Sequence, residues 1–308
     1  MNGRILIAGG SGLLGRALAQ RLAETGREIV LLSRAAAGSA AALNVPPGCR
    51  VAPWDARTAN GWLDLADGAS AIVNLAGESI AGGRWTAQRK ARIRESRLRA
   101  TAAVVEAIAR ARTPPRVLVQ ASAVGYYGDR ADESLDENSP PGEGFLARTA
   151  RDWEAASAAA ESFGVRRVLA RTGVVLAREG GALAKMALPF RFGLGAILGS
   201  GRQWVPWIHL EDETAALQFV LENEAARGAM NFVAPALETQ AELSHELAHA
   251  LHRRLFARVP AWVLRAGLGE MATLVLDSQR VVPLRLLELG FRFRYSRLRA
   301  ALGDLYRR

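Results

Sequence analysis

Short, uninterrupted apolar runs alternate along this chain with longer amphipathic stretches, and that alternation predicts most of the fold. Ile5 to Ala8 is short enough for one buried strand, and Leu18 and Leu22 carry a helical period on to Ala23. Glu28 to Leu32 reads as a second strand and Arg50 to Ala52 as a short third, with a short helix in residues 58–68. Ala71 to Gly77 is a buried strand. Thr86 to Arg112 spaces Ile93, Leu98, Val104, Val105 and Ile108 as a helix, which Thr113-Pro114-Pro115 stops. Arg116 to Ala121 is the next strand. Asp129 to Gly144 is an acidic, Pro- and Gly-rich loop, Phe145 to Phe163 a helix, and Arg166 to Leu176 another strand. Strands alternating with helices predict the α/β class: a doubly wound parallel sheet with ligand at the carboxyl ends of its strands.

The alternation breaks after Leu176. Gly180-Gly181 precedes a short helix, and Gly193 to Gly201 is a glycine-rich loop. Gln203 to His209 leads into an acidic helix start at Glu211-Asp212. A further strand is expected at Met230 to Val233, and from Thr239 the tail is mostly helical. The predicted organisation is a Rossmann-type domain over residues 1–235, with 179–208 contributing to a substrate pocket, and a small helical C-terminal domain over 236–308. No internal repeat is visible.

Three glycines follow the first strand, Gly9, Gly12 and Gly15, in a G-x-x-G-x-x-G spacing that also holds Ser11, Leu13 and Leu14. The first permits a sharp turn, the second lets a pyrophosphate approach the backbone, and the third lets helix and strand pack closely. The helix N-terminus then offers its free N–H groups to phosphate. The second strand ends at Ser33-Arg34, where a dinucleotide's adenosine ribose would lie. An acidic residue there would bind the 2′-hydroxyl of NAD, whereas Arg34 suits the 2′-phosphate of NADP. Trp54, after the third strand, is assigned to the same site. So are Leu75, Ala76 and Gly77, a strand end whose small residues let a cofactor pass close to the backbone, and Arg97.

Composition narrows the class. The chain has 308 residues, half of them hydrophobic, enough for a large core. No apolar run approaches the ~18 residues of a membrane span, the first strand begins too early to leave room for a secretory leader, and Cys49 is the only cysteine. A cytoplasmic protein, monomeric or homodimeric, is expected. The net charge of +10 raises the question of nucleic acid. Only Lys90 and Lys185 are lysines, however, and the densest basic run, Arg84 to Arg99, contains one aromatic, Trp85. It reads as a solvated helix face with a few anion contacts, not as a nucleic-acid surface.

These residues resemble the extended short-chain dehydrogenase/reductase superfamily, in its NAD(P)-dependent epimerase/dehydratase group. The glycine spacing, Asn74-Leu75-Ala76-Gly77 and the Ser122 to Gly128 segment carry the resemblance. Arg84-Trp85-Thr86, Ser96-Arg97, Gly199 to Trp204 and Trp207-Ile208-His209 are similar to one atypical branch, labelled epimerase family protein or SulA-like cell-division inhibitor. Its members end in a C-terminal domain of unknown function, which Pro260 through Leu302 resembles. The resemblance covers essentially the whole chain and implies NADP as cofactor and a small-molecule substrate.

Typical members of the superfamily use Ser or Thr with Tyr-x-x-x-Lys, the lysine lowering the tyrosine's pKa. This chain lacks the pair: Phe145 and Thr149, or Leu146 and Ala150, stand there instead. The catalytic candidates are Ser122, Tyr127 as proton donor, and Tyr126, with Glu133 within reach. Glu78, Arg84, Glu133, Arg202, Gln203 and Trp204 are the substrate-binding candidates, Arg202 suiting an anionic group. Two function classes stay open: an NADP-dependent oxidoreductase or epimerase with a non-standard proton relay, and a non-catalytic NADP-binding sensor. His245-Glu246-Leu247-Ala248-His249 matches a zinc-protease pattern, but it lies in the helical tail far from the cofactor motifs. No metal site is expected there.

Overall fold

The computed structural model describes residues 3–34 and 45–307. Most of the small-residue, Pro-containing stretch from Ala35 to Pro47 therefore lies outside the described residues. The first half of the chain gives β1 (Ile5–Ala8), α1 (Leu13–Ala23), β2 (Ile29–Ser33), β3 (Cys49–Pro53), α2 (Leu63–Ala66), β4 (Ala71–Asn74) and α3 (Ala87–Arg110). β1, β2 and β4 are buried at every position, which is why their sequences read as continuous apolar runs. The Thr86 hydroxyl caps α3 by accepting from Arg89 N–H.

The second half adds β5 (Val117–Ala123), β6 (Ser134–Leu135), α4 (Gly144–Ala156), β7 (Arg166–Thr172), β8 (Val174–Leu176), α5 (Gly181–Arg191), β9 (Ala196–Leu198), β10 (Trp207–His209), α6 (Leu210–Glu222) and β11 (Gly228–Phe232). The main sheet has seven parallel strands in the order β3-β2-β1-β4-β5-β7-β11. Strand order reverses between β1 and β4, and the crevice at that reversal is where such sheets take ligand. Period-two alternation splits each strand between two cores. Ile5 and Ile7 pack with α1 and α6, while Leu6 and Ala8 pack with α2 and α3.

Several segments depart from the sequence reading, each for a local reason. The strand expected from Arg166 to Leu176 breaks at Gly173, where an added Cβ would lie 2.7 Å from Pro206 O; beyond it β8 leaves the main sheet and pairs with β10. The helix expected through Phe163 ends at Ala156 and continues as a 3₁₀ turn over Ala158–Phe163. The glycine-rich loop contains β9, and the acidic loop contains β6.

The tail carries α7 (Gln240–Ala250), β12 (Ala257–Val259), α8 (Ala261–Leu268), α9 (Thr273–Leu276), β13 (Arg280–Val281), α10 (Leu284–Glu288) and α11 (Leu298–Tyr306). It is helical, as expected, but two of its short strands pair back onto the body of the protein, β12 with β9 and β13 with β6. The Asp212 carboxylate, in the first turn of α6, accepts the backbone N–H groups of Arg294 and Tyr295 at 2.8 and 2.9 Å. Among the described residues no helix is long and apolar enough to cross a membrane.

Candidate functional site

The turn between β1 and α1 is built as its glycines require. Gly9 has φ +78° and sits where an added Cβ would be 3.0 Å from the Ala76 backbone; a Cβ on Gly15 would be 2.6 Å from Gly10 Cα. Gly15 thus presses the helix onto the turn, while Gly9 and Gly12 line an open cleft of about 540 Å³. The first N–H groups of α1, on Leu13, Leu14 and Gly15, have no acceptor within the helix and form an anion seat beside that cleft. Ser11, Ser33, Arg34, Trp54, Leu75, Ala76 and Gly77 also line it, so most of the expected cofactor residues converge at the strand-order reversal, together with Glu78; Arg97, also expected there, lines the second cavity instead. Ser33 donates to Ser11 Oγ at 3.0 Å across the cleft floor. Arg34 is exposed and has no hydrogen-bond partner among the described residues. The sequence reading missed Asp55 and Arg57, which share Arg34's end of the cleft. Asp55 spends its carboxylate on the N–H groups of Arg57 and Thr58.

The wall of α3 continues from this cleft into a second cavity of about 210 Å³ at the carboxyl ends of β5 and β7. Its wall is mainly apolar: Ile80, Ile93, Val124, Leu146, Ala150, Trp153, Val174, Val205 and Pro206, roofed by Thr273 to Val275 of the tail. Leu146 and Ala150, one of the two pairs standing where a tyrosine and lysine were looked for, both face it. Thr149 lines it too, with its hydroxyl buried and unpartnered. Phe145 instead packs edge-on against Trp85. Two charged residues stand in the wall. Arg97 donates through one terminal nitrogen to the carbonyls of Glu78 and Ile93 and stacks over Trp153; burial lowers its pKa to about 10, against the pull of Glu78. Asp277 is pushed up to about 6 by burial and by the charge of Asp129, with Arg265 opposing.

The expected catalytic residues are not in this cavity. Alternation along β5 presents Ala123 to it and turns Ser122 away, so that Ser122 donates to Glu154 Oε1 at 2.6 Å. Glu154 in turn receives Arg171 in a two-pronged pair at 2.8 and 2.9 Å. Tyr127 is fully buried; its hydroxyl donates to Asn231 Oδ1 at 2.7 Å and accepts from Arg171 at 3.0 Å. Burial pushes its pKa up to about 12, against Arg171, which makes it a poor acid with no path to the cavity. Tyr126 lays its ring on the Arg171 guanidinium, 3.5 Å from the ring centre. These residues form one buried polar network under the cavity floor, and the roles first assigned to Ser122, Tyr126 and Tyr127 do not fit their placement.

The substrate candidates divide. Trp204 lines the small cavity, and its indole N–H donates to Asp132. Glu78 lies in the larger cleft, paired with Arg89. Gln203 is buried, its amide donating to Leu198 O and Val275 O, so it fastens the tail rather than facing ligand. Glu133 is an exposed partner of Arg130, Arg84 donates to Ala266 O, and Arg202 is exposed; none lines either cavity. Much of the basic run is paired within the chain, with Arg89 on Glu78, Lys90 on Glu270, Arg94 on Asp152 and Arg99 on Glu95. Glu246 of the His-Glu-x-x-His stretch is paired with Arg299, and no group of His, Cys, Asp and Glu able to hold a metal occurs among the described residues.

Comparison with known proteins agrees with this architecture. The model of the NAD dependent epimerase/dehydratase family matches residues 5–232, and that of a domain of unknown function, DUF1731, matches residues 259–305. The mouse epimerase family protein SDR39U1 is 39% identical over 306 residues, covering 98% of this chain and 99% of its own. The crystal structure of human epimerase family protein SDR39U1 (isoform 2) with NADPH superposes with a TM-score of 0.85 at 36% identity, over 98% of this chain and 99% of that one. A nucleoside-diphosphate sugar epimerase from Corynebacterium glutamicum superposes with a TM-score of 0.79 at 34% identity, over 99% of this chain and 59% of that one. None of the three carries a cell-division label.

Proposed function

The chain belongs to the NAD dependent epimerase/dehydratase family, and from that premise we propose that it is an NADP(H)-dependent oxidoreductase or epimerase-like enzyme acting on a small molecule. The observation that carries the reading is the pairing of cavities. A phosphate-ready cleft at the strand-order reversal shares the wall of α3 with a smaller, mainly apolar pocket. Gly9, Gly12 and the start of α1 would hold the pyrophosphate, Arg34 the 2′-phosphate, and the Leu75 to Gly77 strand end the middle of the cofactor. The human relative's NADPH is in keeping with this. Bound there, the cofactor would supply or accept a hydride. Proton handling then rests with the pocket's own groups, and Asp277, at about 6, is the wall residue whose acidity suits neutral pH.

Calorimetry with NADPH and NADH tests the cofactor. A charge-assisted contact of about 1.5–3 kcal/mol at Arg34 gives roughly ten- to hundred-fold preference for NADPH, and Arg34→Ala should erase it. Equal affinities in the unaltered chain would overturn the assignment. One observation favours a second reading, a non-catalytic NADP(H) sensor: Ala123, Leu146 and Ala150 leave the pocket without a hydroxyl–phenol–amine relay. Oxidation of bound NADPH by any member of a carbonyl panel decides for the enzyme.

A further inference from the structure

We infer that the molecule this pocket accepts is small, predominantly apolar and carries one oxygen-bearing polar group, and that it is not a nucleoside-diphosphate sugar. The inference rests on the reading of the site as that of an NADP(H)-dependent enzyme and narrows its substrate. Size comes first. The cavity holds about 210 Å³, below the roughly 300–1,000 Å³ of sites that enclose drug-sized ligands. A nucleoside-diphosphate sugar needs the upper part of that range, and any part of the cofactor that enters leaves less room still.

Chemistry points the same way. A diphosphate is bound by several cations or by a row of backbone N–H groups. Here the wall offers one guanidinium. Arg97 uses a single terminal nitrogen for the carbonyls of Glu78 and Ile93, at 3.0 and 2.9 Å. Its remaining N–H groups have no acceptor among the described residues. That leaves its Nε–H and second terminal nitrogen as a fork for one polar group of a ligand, beside Gly77, where an added Cβ would touch the guanidinium at 3.2 Å. The second polar feature is the Thr149 hydroxyl, on a residue only 5% exposed and with no partner. A buried hydroxyl left unpaired costs stability, so a ligand that pairs with it gains what the free protein lacks. Apart from the Asp277 carboxyl, which is also an anion and so disfavours a diphosphate, the remaining surface, chiefly Ile93, Leu146, Trp153 and Pro206, asks for hydrocarbon or an aromatic ring.

The test uses the full chain saturated with NADPH and titrated in a calorimeter with benzaldehyde, trans-cinnamaldehyde, cyclohexanone and UDP-glucose, with NADPH absorbance followed in parallel. At least one of the three apolar carbonyl compounds should bind, and UDP-glucose should not. Thr149→Val should weaken that binding roughly three- to ten-fold while leaving the free protein at least as stable, since its hydroxyl has no partner to lose. Binding or turnover of UDP-glucose would overturn the inference, and so would failure of all three carbonyl compounds or an unchanged affinity in Thr149→Val. Failure to bind NADPH in the preliminary titration would instead sink the underlying reading, a separate and visible result.

Discussion

Tyr127→Phe separates a structural tyrosine from a catalytic one. The substitution removes one oxygen and leaves the ring, so the apolar packing with Val124, Leu135, Val233 and Val281 survives. Two hydrogen bonds go: the one given to Asn231 Oδ1 at 2.7 Å and the one received from the Arg171 guanidinium at 3.0 Å. All three partners are buried, Tyr127 and Asn231 at 0% exposure and Arg171 at 4%, so water does not replace what is lost. A neutral bond is worth about 0.5–1.5 kcal/mol and one to a charge about 1.5–3, which puts the loss at about 2–4 kcal/mol. Urea denaturation should show a lower midpoint at unchanged slope. NADPH affinity, and turnover of any substrate found, should stay within a few-fold at a temperature where the variant is folded. A variant as stable as the parent but inactive would refute the reasoning and return Tyr127 to the chemistry.

Three further outcomes follow from buried charges and a close backbone approach. Glu154→Gln should cost about 3–5 kcal/mol by leaving the Arg171 charge unpaired in a site where both side chains are under a tenth exposed; a double change to Arg171→Met with Glu154→Leu should recover much of it. Glu213 is fully buried, with one oxygen bonded by Thr172 and the other unpartnered, and burial raises its pKa from 4.5 to about 8. Between those values the folded chain keeps a proton that the unfolded chain has released, so stability should fall as pH rises, by up to about 1.4 kcal/mol per unit. Urea midpoints across that window should show the slope, and Glu213→Gln should flatten it. Gly142→Ala should abolish folding at the acidic loop, because its Cβ would collide with the Tyr127 carbonyl; a soluble, cooperative variant would contradict the packing.

The sheet was legible because both faces of its strands are covered, which forces unbroken apolar runs, and because the glycine turn needs small residues at fixed places. The cofactor cleft followed from that turn and from Ser33-Arg34. The small pocket was not legible to the same degree. Ser122 and Ala123 are neighbours on β5, and a one-residue difference in register decides which of them meets ligand. The sequence pattern favoured the hydroxyl, and the fold gave the place to alanine. Arg171 and Glu154 lie 17 positions apart, on a strand and a helix whose pairing no local pattern announces, so the network that captures Ser122 and Tyr127 stayed hidden. Gln203 and Arg202 looked like polar contacts for a ligand because the loop is rich in glycine. That richness serves instead to let β9 and the tail approach closely, as at Gly199 and Gly201, where an added Cβ would meet Leu276 and Ile197 at 2.7 Å.

The tail completes the pocket, and this bears on where the chemistry lies. Thr273 to Gln279 reaches the wall, and its far end is fastened to the acidic loop. Ser278 N–H donates to Asp129, its hydroxyl donates to Ala131 O, and the Gln279 amide donates to Gly128 O. Those anchors sit directly after Tyr127, whose hydroxyl and Asn231 bond join the loop to β11. Asn231 then donates to Val282 O, just past the pocket segment. The polar residues that look catalytic in the sequence therefore act as a clamp: they fix the loop, the loop fixes the tail, and the tail brings Asp277 to the pocket. If the chain is the enzyme proposed above, a cavity floor without that hydroxyl, phenol and amine leaves the carboxyl delivered by this clamp as the wall group to handle a proton.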